Sequence, residues 1–338
     1  MLVTFKEGIS SDETVKSVEE LRKIAKDGGN KWNEGKQFTI LNFDIIDEFH
    51  TFSRNKTNDS DLLKSDFDVV IIDEMSMVDI FLFSSLLDAL PLGCRLVMVG
   101  DSDQLPSVSP GNVLKDLIES GLIPVVQLKE IFRQSLESNI VRNAHAIVNG
   151  NQIETDYKDG DFYLLQRHFP LDAIRTITDL CVKRLPDAYG FDPTTQIQVL
   201  CPSKKGETGT YNLNQVLQEC INPPSKDKLE HNTGYRLFRE GDKVMQTKNN
   251  YNIHWESNNE EGDGIFNGDI GFIETIDMRH DAIIIDFAGK RATYSKEQLQ
   301  EIELAYAVTV HKSQGSEFDA VVMPVISVNS RLCYRNLL

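Results

Sequence analysis

Paired cysteines are missing from this sequence. The five that it has, Cys94, Cys181, Cys201, Cys220 and Cys333, stand far apart and form no C-x-x-C pair. Neither a zinc site nor a disulfide framework is implied. Cys94 and Cys201 lie in apolar strand patterns, where a buried thiol is expected. Also missing is any apolar run approaching the ~20 residues that a bilayer span needs, and Met1 to Glu7 has no signal-peptide pattern. A cytoplasmic protein without a membrane partner is expected. Positive charge is scarce: 35 Lys and Arg against 52 Asp and Glu leave a net charge of −17. That is the wrong sign for a surface that coats nucleic acid, although a local basic channel stays open. The rest of the composition, 40% hydrophobic and 26% charged over 338 residues, suits a globular chain of two or three domains.

The most informative stretch is Asp68 to Asp79, DVVIIDEMSMVD. Four consecutive β-branched residues bounded by acids read as a strand buried on both faces, as in a parallel sheet. Asp73 and Glu74 then fall at its carboxyl end, where open α/β sheets place ligands. A second β-rich run, Cys94 to Val99, again ends polar, in Gly100 to Pro106. A helix-length segment separates the two, which makes a βαβ unit with both tips on one edge. Adjacent acids at such a tip suit a nucleotide hydrolase, one holding Mg²⁺ and the other polarising water.

These residues resemble the RecD family of 5′-to-3′ DNA helicases of superfamily 1. DEMSMVD and GDSDQLPSVSPGNVL are similar to its second and third motifs. The match continues through Ile131-Phe132-Arg133-Gln134, Gly241 to Gln246, Phe266 to Gly271 and Tyr306 to Glu317, over roughly residues 66 to 338. The resemblance implies ATP and Mg²⁺ as cofactors and single-stranded DNA as partner, in DNA repair or recombination, with unidentified repair-complex subunits. It implies Asp73 as the Mg²⁺ ligand, Glu74 as the base that orients water, Gln104 as the γ-phosphate sensor and Arg133 as the transition-state arginine. Gly315 and Glu317 would contact the ATP sugar. Thr309, His311, Lys312 and Ser313 would touch DNA, and Gln314 would couple DNA to nucleotide. Lys204 and Lys205, after another strand tip, could meet a phosphate backbone; a solvated loop is equally compatible.

The expected fold is α/β, two RecA-like parallel-sheet domains with a small SH3-like β-barrel inserted in the second. Residues 1–65 would be an atypical remnant of the first domain, 66–149 its Walker B side and 150–164 a linker. Residues 165–232 and 301–338 would form the second domain, and 233–300 the insertion. Within this frame Thr14 to Lys26 reads as an amphipathic helix and Gln37 to Ile46 as a strand. Ile80, Phe81, Phe83, Leu86 and Leu87 read as a helix on the sheet, with a cap at Ser109 to Asn112 before the next helix. A helix beginning at Asn139 and one through Ile174 to Leu185, ended by Pro186, follow. Asn252 to Gly264 reads as a polar loop and Leu304 to Val310 as one strand.

No segment reads G-x-x-x-x-G-K-[ST]. The nearest imitation, Gly29 to Gln37, has five residues between its glycines and no hydroxyl after Lys36, so it would not place amides around a phosphate. The resembled family continues beyond Leu338 into a motif ending Thr-Arg. An ATP-dependent helicase by family, inactive as this chain alone, is therefore expected. The rival readings are a non-hydrolysing single-stranded DNA-binding fragment and a non-functional truncated one.

Overall fold

The computed structural model describes residues 38–41, 69–90, 93–128, 138–155, 160–234, 236–257, 260–325 and 337. The helix expected at Thr14 to Lys26, the imitation phosphate loop and Arg133 lie outside them. The chain divides into two compact units, Met1–Asn151 and Gln152–Leu338. Among the described residues no helix is long and apolar enough to cross a membrane.

In the first unit β1 (Phe38–Leu41), β2 (Val69–Ile72) and β3 (Arg95–Met98) form a parallel sheet in that order. All four residues of β2 are buried, as its β-branched run requires. Between β2 and β3 runs α1 (Ile80–Ala89), whose N-cap Asp79 accepts a hydrogen bond from the Leu82 amide at 2.8 Å. A helix presents one stripe to a sheet, and here that stripe is Leu82 and Leu86, four residues apart. Ile80, Phe81 and Leu87, expected to pack inward, are instead exposed. Leu82 and Leu86 join Val70, Ile72, Met75, Val78, Val113 and Leu114 in one core. α2 (Val113–Ser120) closes at Gly121, left-handed at φ 65, but Asn112 makes no side-chain cap. Ser138 caps α3 (Asn139–Val148) by accepting from the Val141 amide at 3.3 Å.

The second unit opens with α4 (Pro170–Asp179), which passes through a π-helical turn at Leu180–Arg184 into α5 (Leu185–Tyr189). The expected stop at Pro186 does not occur. A π turn alters the hydrogen-bond ladder just where proline lacks its N–H, and Gly190 at φ 73 ends the helix instead. β4 (Ile197–Cys201) leads to α6 (Thr210–Ile221). Then come a hairpin of β5 (Glu230–Asn232) and β6 (Leu237–Arg239), and the strands β7 (Lys243–Gln246), β8 (Asn250–Glu256), β9 (Glu261–Ile265), β10 (Ile270–Asp277), β11 (Ala282–Phe287), β12 (Lys290–Ser295) and β13 (Ile302–Leu304). The last seven pair antiparallel in the order β13-β7-β10-β11-β12-β8-β9. Among the described residues the order stays open, with no pairing that closes a barrel. The sheet nevertheless wraps one core, Phe238, Val244, Ile253, Ile265, Ile273, Ile283, Ile285 and Tyr294 among it, and the Tyr294 hydroxyl on β12 donates to Gln246 Oε1 on β7 at 3.0 Å.

Two expectations fail here for visible reasons. Asn252 to Gly264 is no loop: β8 and β9 form a hairpin whose outer side chains are polar because they face solvent, while Ile253 and Ile265 point into the core. Leu304 to Val310 is no single strand: β13 ends at Leu304, and β14 (Ala307–Thr309) joins β4 and β15 (Ala320–Val322) in a second parallel sheet, ordered β14-β4-β15. Ala305 and Tyr306 form the strap between the two sheets, the Ala305 amide donating to the Lys243 carbonyl at 2.8 Å.

Candidate functional site

Because β2 and β3 are parallel neighbours, their carboxyl ends share one edge. The ladder runs past both strands. Val99 N–H donates to the Ile72 carbonyl at 2.7 Å and Met75 N–H to the Val99 carbonyl at 3.0 Å, so the chain after β2 folds across the end of β3. Gly100 makes the room, since a Cβ there would lie 3.0 Å from the Met75 nitrogen and from Leu114 Cδ2. Glu74 takes a left-handed backbone, φ 54 and ψ 37, which a residue with a side chain enters at a cost. In this conformation its amide donates to Asp73 Oδ1 at 2.9 Å.

The electrostatics of the pair follow from that placement. Burial raises the Asp73 carboxyl above its ordinary value, and the Glu74 amide partly offsets this. Burial also raises Glu74, assisted by the negative fields of Asp73 and Asp101. Three acids therefore bear on one strand edge, and a cation would relieve their repulsion. Among the described residues no three His, Cys, Asp or Glu side chains make a ready metal cage. Mg²⁺ does not need one, because it takes one or two carboxylates and completes its shell with water and phosphate oxygens. Gln104 follows on the loop from β3, its amide donating to the Asp101 carbonyl at 3.3 Å, while Asp101 Oδ1 accepts from the Asp103 amide at 2.9 Å. The same loop is pinned to α1, with Ile80 N–H donating to the Pro110 carbonyl at 3.1 Å. Gly111, at φ 113, lies where a Cβ would be 3.0 Å from Ile80.

Within the second unit a cavity of about 590 Å³ opens between α6, the β5–β6 hairpin and the segment from β13 to β14. Lys204, Thr309 and Lys312, all expected on DNA, line it. Lys205 is exposed outside it, the Ser313 hydroxyl donates to the Val310 carbonyl at 2.9 Å, and His311 and Gln314 do not reach the lining. Burial holds the His311 imidazole below its ordinary value and so favours the neutral ring. Gly315, at φ 77, and Glu317 follow in an exposed turn. Arg236, Tyr211 and Glu303, also in the lining, were not anticipated. Lys204 Nζ stands 5.9 Å from the Tyr211 ring centre, a cation over an aromatic face. Gly209 lets this corner form, because a Cβ there would come within 2.7 Å of the Lys204 carbonyl oxygen.

Comparison with known proteins finds three family models along the chain. The ATP-dependent RecD-like DNA helicase SH3 domain family matches residues 213–287, an AAA domain family 14–163 and the UvrD-like helicase C-terminal domain family 304–338. The chain is 33% identical over 277 residues to the ATP-dependent RecD2 DNA helicase of Deinococcus radiodurans, across 80% of this chain and 34% of that protein. It is 28% identical over 281 residues to the RecBCD enzyme subunit RecD of Mycolicibacterium smegmatis, across 80% of this chain and 47% of that one. The chain thus spans between about a third and about half the length of these relatives. Among solved structures, a Pif1 helicase from Bacteroides in complex with ADP-AlF3 and single-stranded DNA shares the fold. Its TM-score is 0.50 at 17% identity, covering 87% of this chain and 78% of that one.

Proposed function

From the place of this chain among the RecD-like helicases, whose SH3 domain it carries between an AAA domain and a UvrD-like helicase C-terminal domain, we infer that it descends from an ATP-driven motor on single-stranded DNA. The observation that carries the reading is the acidic pair at the tip of β2, with Glu74 held in a strained backbone against Asp73. Mg²⁺, when bound, would be held by Asp73 and would neutralise charge on the phosphates of ATP. Glu74, raised by burial and by Asp73 and Asp101, has the basicity to orient and deprotonate an attacking water. Gln104, on the loop from the neighbouring strand, would sense the γ-phosphate, and Arg133 would stabilise the transferring charge. Gln314 would couple the two events, with Gly315 and Glu317 on the nucleotide sugar.

Single-stranded DNA would lie along the second unit, over the cavity lined by Lys204, Thr309 and Lys312, with Lys205, His311 and Ser313 beside it. Its backbone would meet the lysines and a base would stack on Tyr211, which is half exposed. One feature favours the second reading, a DNA-binding chain without turnover: no segment of the sequence reads G-x-x-x-x-G-K-[ST]. Fluorescence anisotropy of a labelled oligothymidylate tests the DNA half. The chain binds it, a Lys312→Ala and Thr309→Ala double variant binds at least tenfold more weakly, and Lys115→Ala on the first unit binds as before. Equal binding by the double variant would refute the placement.

A further inference from the structure

We propose that Lys204, Arg236 and Lys312 form one backbone-phosphate subsite for single-stranded DNA, and that Glu303 occupies this subsite as an internal phosphate mimic until DNA displaces it. The proposal rests on the DNA reading above and adds to it a site and its regulation. Glu303 is the middle residue of β13, with Leu304 between it and the strap of Ala305 and Tyr306 that leads into β14. Its carboxylate takes both Lys204, Nζ at 3.2 and 3.1 Å from its two oxygens, and Arg236, Nη2 at 3.1 Å. Arg236 is aimed by a second bond, from Nη1 to the Ile302 carbonyl. Lys312 lines the same cavity, and the charges that bear on it are Glu303, which attracts, and Lys204 and Arg236, which repel. Burial acts with that repulsion to hold its ammonium below the ordinary value.

Three cations around one carboxylate stand out in a chain of net charge −17. The side chains of Glu303, Arg236 and Lys204 are 21%, 31% and 38% exposed, so the cluster is partly withdrawn from solvent but reachable. A phosphodiester oxygen carries the same charge as a carboxylate oxygen and accepts from the same donors. Exchange of one for the other leaves the cations paired throughout. It also gives the subsite a threshold: an anion must outcompete a tethered carboxylate, which a polyphosphate backbone does and a single small anion does not.

The test is the salt dependence of oligothymidylate binding by the 338-residue chain and by Glu303→Gln, with thermal melts to show that both are folded. In the wild-type chain Glu303 already serves as counterion, so DNA releases few ions from this subsite. Without the carboxylate no freed acid takes up a cation in exchange, and the counterions shed by the contacted phosphates are released in full. Glu303→Gln is expected to bind about tenfold more tightly at low salt, the scale of two partly exposed ion pairs removed from competition. Its plot of log affinity against log salt steepens by about 0.7 for each cation freed. Arg236→Gln in the Glu303→Gln background cancels most of the gain and of the added slope. Equal affinity and slope for wild type and Glu303→Gln overturn the proposal while leaving the DNA reading intact. Failure of both to bind overturns the reading and the proposal together.

Discussion

Replacing Asp242 by asparagine should cost the second unit far more than its isosteric shape suggests. The carboxylate has no exposed surface, and four donors converge on it. Asn222 Nδ2 at 2.7 Å and the Tyr306 hydroxyl at 2.9 Å meet Oδ1, while Gln218 Nε2 at 2.5 Å and the Arg239 amide at 2.7 Å meet Oδ2. Burial raises this carboxyl above its ordinary value, and the four bonds offset only part of the rise. An asparagine keeps one acceptor and turns an NH₂ towards the other two donors. Each buried donor left without an acceptor costs about 1–3 kcal/mol. Gln218 and Asn222 retain their bonds to the carbonyls of Leu237 and Glu240, and removal of a buried charge offsets part of the loss. We therefore expect about 2–4 kcal/mol for Asp242→Asn and about 1 kcal/mol for Tyr306→Phe, which removes a single donor. For a unit of this size those figures lower Tm by about 5–15 °C and about 2–4 °C. Calorimetry of the two variants reads both numbers. A shift under about 2 °C for Asp242→Asn, or equal shifts for the two, would refute the reasoning. Because Tyr306 sits in the strap that leads to Thr309 and Lys312, DNA affinity should fall with Asp242→Asn as well.

Two further outcomes follow from Lys243 in the second unit and Gly100 in the first. Lys243 is buried with its ammonium on Gln198 Oε1 at 2.9 Å, and burial pushes its pKa down to about 8 against the pull of Asp192 and Cys181. The folded value lies below the unfolded one, so the charged lysine penalises folding below pH 8 and the penalty fades as pH rises towards about 10.4. Urea midpoints of the wild type should climb across that window relative to Lys243→Met, and parallel curves would contradict this. Gly100→Ala should lower Tm of the first unit by several degrees, an overpacking cost of about 1–3 kcal/mol, because its Cβ meets the Met75 and Ser76 backbone; an unchanged melt would show that the acidic turn has slack.

How much of this was legible in the sequence varied with the physics. β2, β3 and the tips bearing Asp73 and Glu74 were readable because a β-branched run between acids admits few other structures. The left-handed backbone at Glu74 was not, since it arises from the crossing over Gly100 and from no local preference of glutamate. The π turn before Pro186 and the polar outer face of β8 and β9 defeated local rules for a similar reason: tertiary packing overrode them. In the second unit Thr309 and Lys312 were singled out through a motif loop and Lys204 through a loop after a strand tip, and the three line one cavity. Arg236 and Glu303 stand 67 residues apart, outside any motif, and only the return of β13 beside β7 brings that carboxylate to the cavity.

The most direct test of the account is ATP turnover by the purified 338-residue chain, with and without single-stranded DNA, beside a Glu74→Gln control. The account predicts DNA binding with turnover near background in both proteins. Asp73 and Glu74 act on a metal and a water that need the phosphates already gripped, and no segment of the sequence reads G-x-x-x-x-G-K-[ST]. DNA-stimulated turnover that disappears in Glu74→Gln would contradict it.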